Sequence, residues 1–220
     1  MESRIFAIGD IHGCFQPFKQ LVEVKINLKP ADKLILVGDY IDRGTDSKEV
    51  IDYIIQLQKS GFDIVPLCGN HEAMLLEAYE SKDKMPLWLS NGGAQTLKSF
   101  SISNLSDIDP VYIDFFKSLP YYYSLNEFLF VHAGFNDQMD NPFEDIYTML
   151  WHSSIKYTNA LLKDKVIIHG HRPQQVASLA NSIVCDRRVI NVDTGCVYTD
   201  SEGYGKLTAI ELNTFAIMSV

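Results

Sequence analysis

Ile5-Phe6-Ala7-Ile8-Gly9-Asp10-Ile11-His12-Gly13 is an apolar run that breaks abruptly into glycine, aspartate and histidine. The same construction recurs twice: Leu34-Ile35-Leu36-Val37 leads into Gly38-Asp39-Tyr40-Ile41-Asp42-Arg43-Gly44, and Ile64-Val65-Pro66-Leu67 into Cys68-Gly69-Asn70-His71-Glu72. Short apolar runs bounded by turn residues read as buried strands. Helical patterns fill the gaps. Phe15 to Val24 places Phe18, Leu21 and Val22 on one side, and Ser47 to Ser60 carries Val50, Ile51, Ile54, Ile55 and Leu57, with Ser47 as its N-cap and Gly61 as its stop. The result is β-α-β-α-β, which predicts a parallel sheet with right-handed crossovers. A third helix is expected from His71 through Tyr79.

Working outward, residues 81–120 lose this rhythm. Met85-Pro86-Leu87-Trp88-Leu89, Asn91-Gly92-Gly93 and a short helix over Pro110 to Leu119 read as a cap-like helical insertion beside the site, within one domain spanning 1–220. The second half changes to strand period. Tyr121 to Leu125 and Phe128 to Val131 flank Asn126-Glu127 as a hairpin, and Val166 to Ile168, Ser182 to Cys185, Val189 to Val192 and Leu207 to Leu212 follow as strands. The fold class is α/β (α+β), with two sheets packed face to face and helices outside. His132 closes Phe128-Leu129-Phe130-Val131, and His171 follows Val166-Ile167-Ile168 in Ile168-His169-Gly170-His171-Arg172-Pro173.

Composition narrows the partners. The chain has 220 residues, enough for one sizeable core, with 46% hydrophobic and 21% charged residues. Nineteen Lys and Arg against 28 Asp and Glu leave a net charge of −9, which argues against duplex nucleic acid as a partner. No apolar run reaches the ~18 residues of a membrane span. The segment Met1-Glu2-Ser3-Arg4 carries no signal-peptide pattern, so a cytoplasmic location is expected. Cys14, Cys68, Cys185 and Cys196 form no CxxC pair, which speaks against a zinc cage or a disulfide framework; Cys68 reads as a core residue and Cys14 as an oxidisable candidate.

The strand-end residues carry the chemistry. Asp10 and His12 are two apart, so an extended backbone sends both side chains the same way. Asp39 can bridge two cations through its two oxygens, and Asn70 offers a neutral carbonyl oxygen. Oxygen and imidazole donors without thiolate suit Mn²⁺, Fe or Zn²⁺ better than Ca²⁺. Two such ions ~4 Å apart hold a hydroxide between them and clamp the oxygens of an in-line displacement. No segment matches a CxxxxxR phosphate-cradling signature, which argues against a covalent cysteine route.

The words GDxHG, GDxxDRG and GNHE, in this order and spacing, resemble the phosphoprotein phosphatase family, and the resemblance covers nearly the whole chain. Within it the match is to the short bacterial and phage-type Ser/Thr phosphatases of the calcineurin-like metallophosphoesterase superfamily. That resemblance implies a β-sandwich of two mixed sheets flanked by helices, four layers in the order α-β-β-α. It implies that Asp10, His12 and Asp39 hold a first divalent ion, Mn²⁺ by preference, and that Asp39, Asn70, His132 and His171 hold a second. It implies further that Arg43 binds two phosphate oxygens, and that His71 is the general acid with Asp42 holding its other ring nitrogen. Substrate contacts would come from Arg43, Asn70, His71 and Arg172. Asn91-Gly92-Gly93 and Asn191-Val192-Asp193-Thr194-Gly195 also look like family features, read as structural.

One position departs from the pattern. The family commonly carries arginine two residues after a tryptophan; here Leu150-Trp151-His152-Ser153 puts Ser153 there, and Arg172, His152 or Lys156 is left to compensate. His169 reads as a buried, hydrogen-bonded residue or an additional ligand. The leading expectation is a phosphomonoesterase acting on phosphoserine and phosphothreonine in a phosphoprotein, or on small phosphoesters. The runner-up is a symmetrical dinucleoside tetraphosphate hydrolase, ranked second because such relatives tend to be longer. A metal-binding regulatory protein without turnover, suggested only by Ser153, is the third.

Overall fold

The computed structural model describes residues 3–220. In chain order the first half comprises β1 (Ile5–Ile8), α1 (Phe15–Gln20), β2 (Lys33–Leu36), α2 (Ser47–Lys59), β3 (Asp63–Pro66) and α3 (Asn70–Glu80). Beyond Gln20, α1 widens into a π-helical turn over Leu21–Ile26, whose apolar side chains Leu21, Val22 and Ile26 are buried. The insertion holds α4 (Met85–Trp88), a second wide turn Leu89–Gly93, α5 (Ala94–Ser99) and α6 (Pro110–Lys117). Then come β4 (Tyr122–Leu125), β5 (Phe128–Val131), α7 (Ile146–Trp151), β6 (Val166–His169), α8 (Val176–Cys185), β7 (Val189–Asn191), β8 (Thr208–Glu211) and β9 (Ala216–Ser219).

Two mixed sheets result. One has the order β3-β2-β1-β8-β9, with β1, β2 and β3 parallel as expected and β8 and β9 antiparallel; the other has the order β4-β5-β6-β7. The pleat sorts each strand between two cores. Phe6 and Ile8 of β1 face the helices with Phe18, Val50, Ile51 and Ile54, while Ala7 faces Phe130, Ile168 and Ile190 between the sheets. On the far side of the second sheet, Leu129, Val131 and Ile167 pack on Phe135 and Met149. That is the four-layer α-β-β-α arrangement. The insertion buries Trp88, Ile113 and Phe116 in the same core as Phe6 and Ile8.

Three local expectations are corrected. Ser182 to Cys185 is the end of α8 rather than a strand: Leu179 and Ile183, one helical turn apart, are buried, whereas Val184 is 83% exposed. A short apolar run satisfies either period, and here the segment leading into it supplies the helix. Ser47 is not the cap of α2; Asp46 occupies that place, and Ser47 is buried with its hydroxyl accepting from the Asp42 amide at 3.2 Å. Strand β9 has no counterpart in the sequence reading. It pairs with β8 across Asn213-Thr214-Phe215, where Phe215 takes a φ of 59°.

Candidate metal centre

The loops after β1, β2, β3, β5 and β6 converge at one edge of the two sheets. They lock together through backbone bonds: the amides of Ile11 and His12 donate to the Asp39 carbonyl at 3.0 and 2.8 Å, and Gly170 donates to the His132 carbonyl at 2.8 Å. Of nine non-glycine residues with positive φ among those described, five are here: His12, Asp39, Asp42, Arg43 and His171, at 46° to 70°. Each such conformation costs of order 1–3 kcal/mol and persists only where the surroundings over-determine it.

Asp39 sits at the centre. Its Oδ2 lies 3.5 Å from Nε2 of His12, 3.5 Å from Nε2 of His132 and 3.9 Å from Nε2 of His71. Two groups of donor atoms form around it, His12–Asp39–His71 and Asp39–His132–His171, each within 4.8 Å. Asn70 joins the second, with its Oδ1 2.8 Å from Nε2 of His132 and 3.1 Å from Nδ1 of His171. Asp10 stands at the edge. Its two oxygens accept from the His171 amide at 3.1 and 3.2 Å, and it belongs to neither tight group.

The ring tautomers favour a cation. His132 donates from Nδ1 to the Val37 carbonyl at 3.0 Å and His12 from Nδ1 to the Ile41 carbonyl at 2.9 Å, so each presents a lone pair at Nε2. Nε2 of His132 then faces Asn70 Oδ1, another acceptor, an arrangement that a cation relieves. The buried Asp193 Oδ2 likewise has no hydrogen-bond partner among the described residues. These donors therefore fit divalent metal. Burial pushes His12 and His171 down to about 3 and also lowers His132, so all three rings are neutral near pH 7. Asp39 is the reverse case. Burial would raise it, but His132, His71 and His12 outweigh that and hold it below the ordinary carboxylate range. Asp10, buried and near Asp193 and Asp39, is driven up.

His71 differs from the other histidines. It donates from Nδ1 to Asp42 Oδ2 at 2.7 Å, and its buried Nε2 has no hydrogen-bond partner among the described residues. Burial disfavours its cation, yet Asp39 and the Asp42 bond prevail, and its pKa rises above 6.5. Asp42, wholly buried, also accepts from Trp88 Nε1 at 3.0 and 3.2 Å and from the Thr96 hydroxyl at 2.6 Å.

The sequence reading missed several supporting residues. Glu72 ends the third motif, yet no role follows from its position alone. In the fold its carboxylate accepts from the amides of Asp39, Tyr40 and Gly69 at 2.8–2.9 Å, bracing the central loop; burial pushes it up to about 8 against those donors. Trp88, Thr96 and Asp193 were likewise not identified as part of the site. Within Asn91-Gly92-Gly93 the glycine at position 92 has a packing role: at a φ of 110° it lies so close to Arg43 that a Cβ would come within 2.6 Å of its amide nitrogen.

Arg43 directs one guanidinium nitrogen at Nε2 of His12, 2.7 Å away. Arg172 is exposed and lines a separate cavity of about 230 Å³ together with Ser153 and His169. Ser153 itself backs onto Gly134, at the end of the His132 loop. His169 is buried, bonded through Nδ1 to the Gly170 carbonyl at 3.0 Å and lowered by burial to about 4; it belongs to neither donor group.

Several known proteins are similar to this chain in sequence or in fold. A symmetrical bis(5'-nucleosyl)-tetraphosphatase of Pseudomonas putida is 32% identical over 136 residues, 60% of this chain and 43% of that protein. Serine/threonine-protein phosphatase 2 of Escherichia coli is 42% identical over 89 residues, 40% of this chain and 38% of that one. The chain thus spans less than half the length of these curated relatives. Among solved structures, a provisionally assigned diadenosine tetraphosphatase superposes with a TM-score of 0.69 at 21% identity, covering 100% of this chain and 94% of the other. A protein serine/threonine phosphatase of Saccharomyces cerevisiae superposes with a TM-score of 0.68 at 17% identity, covering 99% and 79%. Among the described residues no helix is long and apolar enough to cross a membrane. The family model for calcineurin-like phosphoesterases matches residues 3–202, and the chain belongs to that family.

Proposed function

We propose that this hydrolase cleaves dinucleoside tetraphosphates symmetrically into two nucleoside diphosphates. That reverses the order of the sequence reading, in which the protein phosphatase stood first. The relative that supports the change is the P. putida tetraphosphatase, and the fold is shared with the structure provisionally assigned as a diadenosine tetraphosphatase. The observation that carries it on this chain is Ser153. With serine at that position, Arg43 is the arginine in contact with the donor groups. A phosphomonoester carries about −1.5 to −2 at pH 7 and rewards a second cation. An internal phosphate of a tetraphosphate carries a single charge, which one guanidinium matches.

In this reading Asp10, His12, Asp39, Asn70, His132 and His171 hold two divalent cations, Mn²⁺ by preference. When bound, the cations supply charge neutralisation on the phosphoryl oxygens and an acidified water as nucleophile. The chain's own groups do the rest. Arg43 binds oxygens of the reacting phosphate and stabilises the charge that grows on it. His71 gives the Nε2 proton to the departing oxygen as the P–O bond breaks. Asp42 accepts from Nδ1 throughout and stabilises the imidazolium before transfer. Trp88 and Thr96 keep Asp42 aimed at that ring.

The second reading, dephosphorylation of phosphoserine or phosphothreonine, is favoured by the E. coli phosphatase match and by the intact Asp42–His71 pair, which an alkoxide leaving group needs most. Anion-exchange analysis of products decides between them. The Mn²⁺-loaded protein should convert diadenosine tetraphosphate to adenosine diphosphate with a higher kcat/KM than it shows for a phosphoserine peptide. The opposite ranking would overturn the proposal.

A further inference from the structure

Beside Arg43 the site opens into a cavity of about 440 Å³, between the wide turn Leu89–Gly93 on one side and the loop carrying Val197 and Tyr198 on the other. Arg43 forms the partition: one guanidinium nitrogen meets His12, while its Cζ lies 5.9 Å from the centre of the Tyr198 ring. A phosphate held by Arg43 therefore has its next substituents at the mouth of this cavity.

The lining has a definite chemical character. Tyr198 is 37% exposed, yet it is held in place. Its amide donates to the Gly195 carbonyl at 2.9 Å, and Gly195, at a φ of 69°, lies so close beneath the ring that a Cβ would reach 3.1 Å from it. Asn91 uses its amide nitrogen on the Leu87 carbonyl at 2.8 Å, which leaves Oδ1 free to accept. Gln95 is exposed at the same wall and enters no side-chain hydrogen bond among the described residues. Apart from Arg43 no charged side chain lines the space. An aromatic face, two carboxamides and no ion-pairing group beyond Arg43 suit a neutral heteroaromatic ring better than the charged flanks of a phosphopeptide. The volume lies within the usual range for small-molecule sites.

We propose that this cavity binds a nucleobase of the dinucleoside polyphosphate, stacked on Tyr198 with Asn91 and Gln95 at its hydrogen-bonding edge. The inference rests on the dinucleotide reading of the site and adds the residues that recognise the base. Tyr198 lies against Arg43 and not against the proposed metal ligands, so its removal should weaken binding of the base far more than that of the phosphate chain, for which the Arg43–His12 contact is retained.

The test uses the full chain with Mn²⁺, diadenosine tetraphosphate as substrate and inorganic tetraphosphate, the same phosphate chain without bases, as competitor. Base–aromatic stacking sets the scale: Tyr198→Ala should raise KM for the dinucleotide about tenfold. Tyr198→Phe, which keeps the stacking face, should stay within about threefold of the parent. The inhibition constant of tetraphosphate should change far less than the dinucleotide KM between parent and Tyr198→Ala, which also verifies that the variant is folded. An unchanged dinucleotide KM in Tyr198→Ala, or an equal loss of tetraphosphate affinity, overturns the base subsite while leaving the functional reading intact. A Tyr198→Ala variant that loses affinity for a phosphoserine peptide and not for the dinucleotide assigns the cavity to peptide and overturns it as well. A parent protein that cleaves no dinucleotide overturns the functional reading, and the subsite falls with it.

Discussion

The two rims of the metal centre are built differently. On the Asp42 side, a buried carboxylate receives the indole of Trp88, the hydroxyl of Thr96 and the ring of His71, and its amide donates to Thr96 and Ser47. Behind the His132 loop, Ser153 and Arg172 line a separate open cavity that none of the donor groups enters, and no side-chain hydrogen bond of either is present among the described residues. The first rim is specified to within a rotamer; the second leaves its side chains free. In the proposed mechanism the proton donor needs fixed geometry and a fixed electrostatic environment, whereas side chains outside the donor groups can change without disturbing the centre. The contrast is consistent with serine at position 153 beside donor groups that retain Asp39, His12, His132 and His171.

The largest test of this contrast strikes the residue common to both donor groups. Asp39→Asn should reduce kcat by more than about a hundredfold and lower bound metal measured by plasma mass spectrometry, because even groups that only orient a ligand are worth 10–100-fold in affinity. Unchanged metal content with normal turnover would break the central assignment. His71→Asn comes next: about 10²–10⁴-fold on substrates with poor leaving groups and far less on para-nitrophenyl phosphate. Equal losses on both would remove His71 as the acid. The pH profile carries the sign. With its folded-state pKa raised above 6.5, the acid form of His71 is fully present at lower pH and is lost as pH rises through the folded value. Turnover of a poor-leaving-group substrate should therefore fall on the alkaline side, and that limb should vanish in His71→Asn.

Trp88→Phe keeps most of the buried ring and deletes one bond to Asp42. It should cost about 1–3 kcal/mol in urea unfolding and about tenfold in kcat. Loss of stability with kcat intact would show that Trp88 supports the core rather than the acid. Ser153→Arg should have the smallest effect. A guanidinium added to the open rim should lower KM for a phosphomonoester severalfold, roughly 1 kcal/mol for an exposed charge contact, with stability unchanged. No change in KM would show that the rim does not limit phosphate binding.

Much of this centre is legible in sequence because its pieces are local. Asp10, His12, Asp39 and Asn70 each follow a strand within a few residues, and glycine beside them marks the turns, so donor type and order can be read directly. The supports are not local. Trp88 lies 46 residues beyond Asp42 and Thr96 lies 54 beyond, on an insertion whose helical pattern carries no trace of that contact. Glu72 is visible within its motif, but its bonds reach back 32 and 33 residues to Tyr40 and Asp39. The misread strand at Ser182–Cys185 has a similar origin: four apolar-rich residues cannot declare their own period.

By itself the sequence determined which atoms are available to metal and phosphate, since side-chain identity and the strand-to-glycine punctuation are local properties. Tertiary structure decided which protonation state each histidine favours. Burial keeps His12, His132 and His171 neutral, with the Nε2 lone pairs of His12 and His132 left open, while His71, between Asp39 and Asp42, is held toward the imidazolium. The physical reason is that proton affinity depends on burial and on charges a few ångströms away, and those neighbours come from different loops brought together only by the fold.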